Sequence, residues 1–79
     1  MSGAGAPAGG VLVTGATGFF GTRLVQVLRG RGACVRALVR PTGYARRLEA
    51  LGVEIVRGDV TDPASLATAA AGQRVVVHA

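Results

Sequence analysis

Thr14-Gly15-Ala16-Thr17-Gly18-Phe19-Phe20-Gly21 separates a short apolar run, Val11-Leu12-Val13, from a stretch with helical spacing. The run before it reads as a buried strand ending in Thr14-Gly15. From about Gly18 to Arg29, Phe20, Leu24, Val27 and Leu28 recur at i, i+4, i+7 and i+8, with Arg23, Gln26 and Arg29 elsewhere. That spacing predicts a helix with the four apolar residues inward, closed by Gly30 and Gly32. A glycine-rich turn between a strand and a helix has a specific physical use. Gly15 can take the tight turn off the strand, Gly18 lacks a Cβ and lets a pyrophosphate reach the backbone, and Gly21 lets helix and strand approach. The helix start then offers unpaired N–H groups and a positive dipole end to the phosphates.

The rest of the chain repeats the alternation. Cys34 to Val39 reads as a second strand, with Val35, Ala37 and Val39 alternating against Arg36 and Leu38, and Pro41 breaks it. Residues 44–51 can make a short helix with Leu48 and Leu51 inward, closed by Gly52. Val53 to Val56 is a third strand. Asp62-Pro63 supplies an N-cap with Pro at the first helical position, and residues 63–71 continue as an Ala-rich helix ended by Gly72. Val75-Val76-Val77 is a fourth strand. Strand and helix in strict alternation, with short connections, predict an α/β fold with a parallel sheet, helices on its faces and right-handed crossovers. A parallel sheet wants both faces covered and its strands flanked. Three valines at the end of the chain make an apolar edge prone to association. Residues 10–79 are therefore expected to be the N-terminal part of a larger domain, and residues 1–9, mostly Gly, Ala, Ser and Pro, a disordered leader.

Composition narrows the chemistry. The chain has 79 residues, and all nine of its basic residues are Arg. Without Lys it holds no Schiff-base lysine, P-loop lysine or Tyr-x-x-x-Lys pair. A chain this short buries only about 60% of its unfolded surface, which leaves it marginal. One Cys excludes an intramolecular disulfide, and one His beside it argues against a zinc cluster. Cys34 is expected to be small and buried. The apolar runs fall far short of the roughly 20 residues of a membrane span, and MSGAGAPAGG lacks the regions of a secretory signal, so no membrane partner and a cytoplasmic location are expected. The net charge of +5 raises nucleic acid as a partner. No RNP-type aromatic run, zinc finger or helix-turn-helix accompanies it, and the expectation is no nucleic acid.

The spacing Gly15, Gly18, Gly21 is G-x-x-G-x-x-G, distinct from the G-x-G-x-x-G of ordinary dinucleotide dehydrogenases. With VLVTGATGFFG, VRALVRP, GVEIVRGDVTDPASL and VVVHA in order, the sequence resembles the extended and atypical short-chain dehydrogenase/reductases, signature TGxxGxxG. The wording is nearest the dihydroflavonol-reductase-like and sugar-nucleotide epimerase branch. The resemblance implies a partial Rossmann fold, a doubly wound parallel sheet with about four strands and three helices of a larger domain. It also implies cofactor contacts from Thr14, Gly15, Thr17, Gly18, Phe19, Phe20 and Gly21. Phe20 stands where that family usually has an aliphatic residue.

An acidic residue about 20 positions after the loop would take the 2′-OH of NAD, whereas Arg there would accept the 2′-phosphate of NADP. Arg40 stands nineteen positions after Gly21, with no Asp or Glu between them. A guanidinium offers two parallel donors to a phosphate and keeps its charge. The expected cofactor is thus NADP rather than NAD, with Arg36, Arg46 and Arg47 as candidate helpers. The resemblance places Asp59 against the adenine amino group and Val60 on the ring, while an Asx turn is the competing reading of Asp59. It places His78 in the ribose-side wall through its backbone, not as a general base.

Family members work on a carbonyl or alcohol with Ser/Thr, Tyr and Lys. The single tyrosine, Tyr44, is followed four residues on by Leu48. No catalytic residue and no substrate site are assigned in this chain. The expected function is the NADP(H)-binding portion of a reductase, dehydratase or sugar-nucleotide epimerase. The alternative is a non-catalytic NADP-sensing or interaction protein.

Overall fold

A computed structural model describes residues 10–79, so the expectation for residues 1–9 lies outside the described residues. The strands are β1 (Val11–Thr14), β2 (Val35–Val39), β3 (Glu54–Arg57) and β4 (Val75–His78). The helices between them are α1 (Phe19–Gly30), α2 (Arg46–Ala50) and α3 (Pro63–Ala70). All pairings are parallel and the sheet order is β3-β2-β1-β4. Passing outward from β1 to β2 and β3, then back across β1 to β4, is what makes the sheet doubly wound. It also puts a change of direction beside the glycine loop, where open α/β sheets bind ligands.

Strand periodicity divides the core. Val11, Val13, Val35, Ala37 and Val39 face Val25 of α1 and Leu48 of α2, while Leu12 and Leu38 face Leu66 and Ala69 of α3. The alternation of Val35, Ala37 and Val39 against Arg36 and Leu38 is as the sequence predicts. The second face is the thinner one, because α3 fully buries only a methyl group, that of Ala69. Each helix is closed by a glycine with positive φ two residues past its end: Gly32, Gly52 and Gly72. Among the described residues, no helix is long and apolar enough to cross a membrane.

Four expectations need correction. Leu24 and Leu28 pack on the core as the spacing predicts, but the inward stripe of α1 is completed by Gly21 and Val25, while Phe20 and Val27 are exposed at 68% and 45%. The reason is Gly21, whose missing side chain sets the helix directly on the backbone of Gly15 and Ala16 and so fixes its rotation. Cys34 is exposed, because it lies in the connection just before β2. The second helix starts at Arg46 rather than residue 44, since residues 40–43 first form a turn closed by Gly43 N–H donating to the Arg40 carbonyl at 2.8 Å. Arg36 points away from the glycine loop's side. It pairs with Glu54 at 3.0 Å and donates to the carbonyls of Ala69 and Ala71 at 2.9 and 3.0 Å, tying α3 to the sheet. It is therefore no helper for a phosphate.

The cap of α3 is as the sequence predicts. Asp62 Oδ1 accepts the Ala64 N–H at 3.1 Å, Oδ2 accepts the Ser65 hydroxyl at 3.1 Å, and Pro63 opens the helix. The cap adds to the Arg36 bonds and to the packing of Leu66 and Ala69 in holding α3. Asp62→Ala is expected to cost about 1 kcal/mol, read as a lower denaturant midpoint with unchanged slope.

Candidate functional site

The glycine loop sits where β1 ends and α1 begins. Gly15 has φ of +72°, a left-handed conformation that turns the chain off the strand, and a Cβ there would lie 2.6 Å from the Ala79 carbonyl oxygen. Gly18 is the N-cap of α1, with no side chain to bond the first-turn N–H groups, and no acidic residue lies in that turn. The positive end of the helix is therefore left uncompensated by the protein itself. A Cβ on Gly18 would meet only the Gly15 carbonyl oxygen, at 3.5 Å, so its outer side is open. Phe19 and Phe20 occupy the first helical positions with exposed rings, Phe19 at 95%. A phosphate group fits this cradle, as backbone donors at an uncapped helix start are its usual partners.

Two side chains fasten the loop. Thr22 Oγ1 donates to the Ala16 carbonyl at 2.8 Å. Thr14, buried at the end of β1, lies 2.7 Å through Oγ1 from Nδ1 of His78 on β4. The Ala79 N–H donates to the Thr14 carbonyl at 2.9 Å, extending the β1–β4 ladder beneath the loop.

Beside the loop, at the carboxyl ends of the strands, a cleft of about 190 Å³ is lined by Gly15, Thr17, Arg40, Gly43, Gly58 and Val60, with Leu38 and Val39 at its floor. A neighbouring hollow of about 520 Å³ runs along α1 from Thr17, Gly18 and Phe19 to Arg23, Gln26 and Arg47. Thr17 lines both. The fold thus brings Gly15, Thr17, Arg40 and Val60 into one cleft and sets Gly18 and Phe19 at its neighbour. Of the candidate helpers, Arg47 lines the hollow with Thr17, and Arg46 lines neither space.

Asp59 follows β3 and forms an Asx turn. Its Oδ1 accepts the Thr61 N–H at 2.9 Å and the Thr61 hydroxyl at 2.8 Å. These two bonds, the backbone one first, hold its carboxyl below the usual 3.8, against an opposing effect of burial and with lesser help from the Arg40 guanidinium. Because the folded value is depressed, the favourable contribution is present above 3.8 and is lost as pH falls through the folded value. Thr61→Val removes the hydroxyl donor and keeps the N–H. It should raise the Asp59 midpoint in an NMR titration yet leave it below 3.8. An unchanged midpoint would contradict this account of the turn.

Comparison with known proteins fits this geometry. The profile of the NmrA-like family matches residues 7–79. The chain belongs to the NmrA-like family. A ceramide reductase of Caulobacter vibrioides is 41% identical over 70 residues, covering 89% of this chain and 22% of the relative. Among solved structures, a nucleoside-diphosphate-sugar epimerase from Pseudomonas aeruginosa superposes with a TM-score of 0.82 at 29% identity, over 87% of this chain and 23% of that one. The structure of AtPrR2 with NADP+ and (+)-pinoresinol gives a TM-score of 0.79 at 32% identity, over 92% and 26% of the two chains. The NmrA-like chain spans about a fifth of the length of the curated relatives it matches. It corresponds to the Rossmann-like, NAD(P)-binding segment of extended short-chain dehydrogenase/reductase-type proteins, and dinucleotide binding fits the family.

Sequence reasoning missed Thr22, which stands one residue after the third glycine and could have been noticed as a first-turn hydroxyl. It also missed the Thr14–His78 contact and the lining role of Gly43. Both need the strand order or the turn geometry, which no local pattern carries.

Proposed function

We propose that this chain is the NADP(H)-docking part of a reductase, dehydratase or sugar-nucleotide epimerase whose catalytic residues and substrate site lie in sequence beyond it. The observation that carries the reading is Arg40, in the cleft beside the glycine loop, with no carboxylate between Gly21 and itself. In this reading the first-turn N–H groups of Phe19, Phe20 and Gly21 take the pyrophosphate, with Thr14, Gly15, Thr17 and Gly18 shaping the loop around it. Arg40 takes the 2′-phosphate, a bidentate partner that keeps its charge. Asp59 accepts from the adenine amino group. Its Asx turn is compatible with that role, because the turn uses Oδ1 and keeps the group ionised. Val60, at 43% exposure, offers an apolar surface to the ring, and the backbone at His78 forms the ribose-side wall. The bound nicotinamide would supply the hydride.

Part of the basic charge serves this region, with Arg40 in the cleft and Arg23 and Arg47 in the hollow, and part serves structural bonds. Arg29, Arg36 and Arg57 all donate to backbone carbonyls. A cytoplasmic location fits a lone exposed thiol. Val75 and Val76 on β4, exposed at 46% and 41%, form the edge through which the chain would associate, with its own continuation or another chain.

The coding sequence beyond Ala79 is expected to continue with further strands and a Tyr-x-x-x-Lys pair, and NADPH fluorescence should rise when the intact protein is added. A continuation without the pair, in a protein that still binds NADPH, would replace the enzymatic reading with a dinucleotide sensor. No fluorescence change would overturn both.

A further inference from the structure

Arg57 closes β3 and stands opposite Val39 in the β2–β3 register, beside the start of the Arg40–Gly43 turn. Its Nη1 donates to the Arg40 carbonyl at 2.9 Å and to the Gly43 carbonyl at 2.6 Å. The Arg40 carbonyl also accepts the Gly43 N–H at 2.8 Å, so both of its lone pairs are used. One guanidinium therefore grips the first and last residues of a four-residue turn whose second residue, Pro41, already has its φ fixed. Gly43 is seated tightly, since a Cβ there would lie 2.7 Å from Val39 Cγ1. Arg57 itself does not line the cleft, although Arg40 and Gly43 do. Nor does it spend its charge on a carboxylate: among the described residues the ion pair present is Arg36 with Glu54.

We infer that Arg57 is a positioning residue that sets the preference for the phosphorylated cofactor, by fixing the backbone from which Arg40 reaches the cleft. The inference rests on the NADP reading above. The physical reason is preorganisation. An exposed arginine on a loose turn must lose backbone as well as side-chain freedom to engage a phosphate, and a turn already held at both ends removes the first of these costs. The cradle for the pyrophosphate is built from β1 and α1, so it does not depend on Arg57. Loss of the grip should therefore weaken NADP and spare NAD.

The test is calorimetric binding of NADP and NAD to the intact protein and to Arg57→Met, which keeps an apolar stem but no donors. NADP affinity is expected to fall about fivefold with NAD changed less than twofold, as the ordering cost returns. Arg57→Lys, with a donor of similar reach, should recover part of the loss. A double-mutant cycle separates positioning from direct attraction: in an Arg40→Ala background, Arg57→Met should have no further effect on NADP. Should Arg57→Met not fold, Arg57→Gln is read by the same criteria. The inference is overturned if neither cofactor's affinity changes, if both weaken equally, or if the effect adds fully to that of Arg40→Ala. The two readings fail differently. A wild-type protein without NADP preference removes the cofactor reading and this inference with it. A preference lost in Arg40→Ala but retained in Arg57→Met leaves the cofactor reading standing and removes this inference alone.

Discussion

Replacing Gly21 with alanine is expected to abolish dinucleotide binding and to cost about 3 kcal/mol or more of stability. The added Cβ would overlap the Gly15 carbonyl oxygen and lie 2.7 Å from Ala16 Cα and 2.9 Å from the Gly15 carbonyl carbon. These are backbone atoms of a loop with little room to retreat, because Thr22 fastens it at Ala16 and the β1–β4 ladder lies beneath it. Helix and loop must part, and with them go the rotation of α1 and the aim of its first-turn N–H groups. Gly30→Ala is the control. A Cβ at Gly30 meets nothing within 4 Å, so that variant should lose neither stability nor binding. Thermal unfolding and NADPH titration of the two variants give the comparison. Equal behaviour would show that the close approach at Gly21 is unimportant.

The second large effect is expected at Arg40. Hydrogen bonds to charged groups contribute about 1.5–3 kcal/mol, so Arg40→Ala should weaken NADP by roughly ten- to a hundredfold. NAD, which has no 2′-phosphate, should change little. The loss should also shrink as salt is added, since Arg40 is exposed and its field is screened. A substitution that reduced both cofactors alike would instead mark Arg40 as part of the scaffold.

Much of the fold is legible in the sequence because local rules and tertiary packing agree there. Alternation in Val35–Val39 matches two covered sheet faces, and Asp62-Pro63 caps α3 by contacts that span only a few residues. The glycine loop is legible for the same reason: turn, helix start and close approach are all short-range demands. What the sequence hides is set at a distance. Of the apolar stripe Phe20, Leu24, Val27 and Leu28, Leu24 and Leu28 pack on the core, but the contact at Gly21 rotates the helix so that Gly21 and Val25, rather than Phe20 and Val27, are buried with them. A glycine contributes nothing to a hydrophobic pattern, so periodicity cannot see the residue that decides the rotation. The arginines are equally opaque. Arg36, Arg40 and Arg57 differ in role because of strand register, which puts Arg36 under α3, Arg57 against the turn and Arg40 in the cleft. Cys34 follows the same logic, since exposure in a connection depends on what packs over it.

On the proposed reading, this segment docks a dinucleotide and prefers the one bearing a 2′-phosphate. Calorimetric titration of the intact protein with NADP and with NAD, side by side in one buffer, tests it most directly. Both should bind, with NADP tighter by about tenfold or more. NAD binding as tightly as NADP, or binding of neither, would contradict that reading.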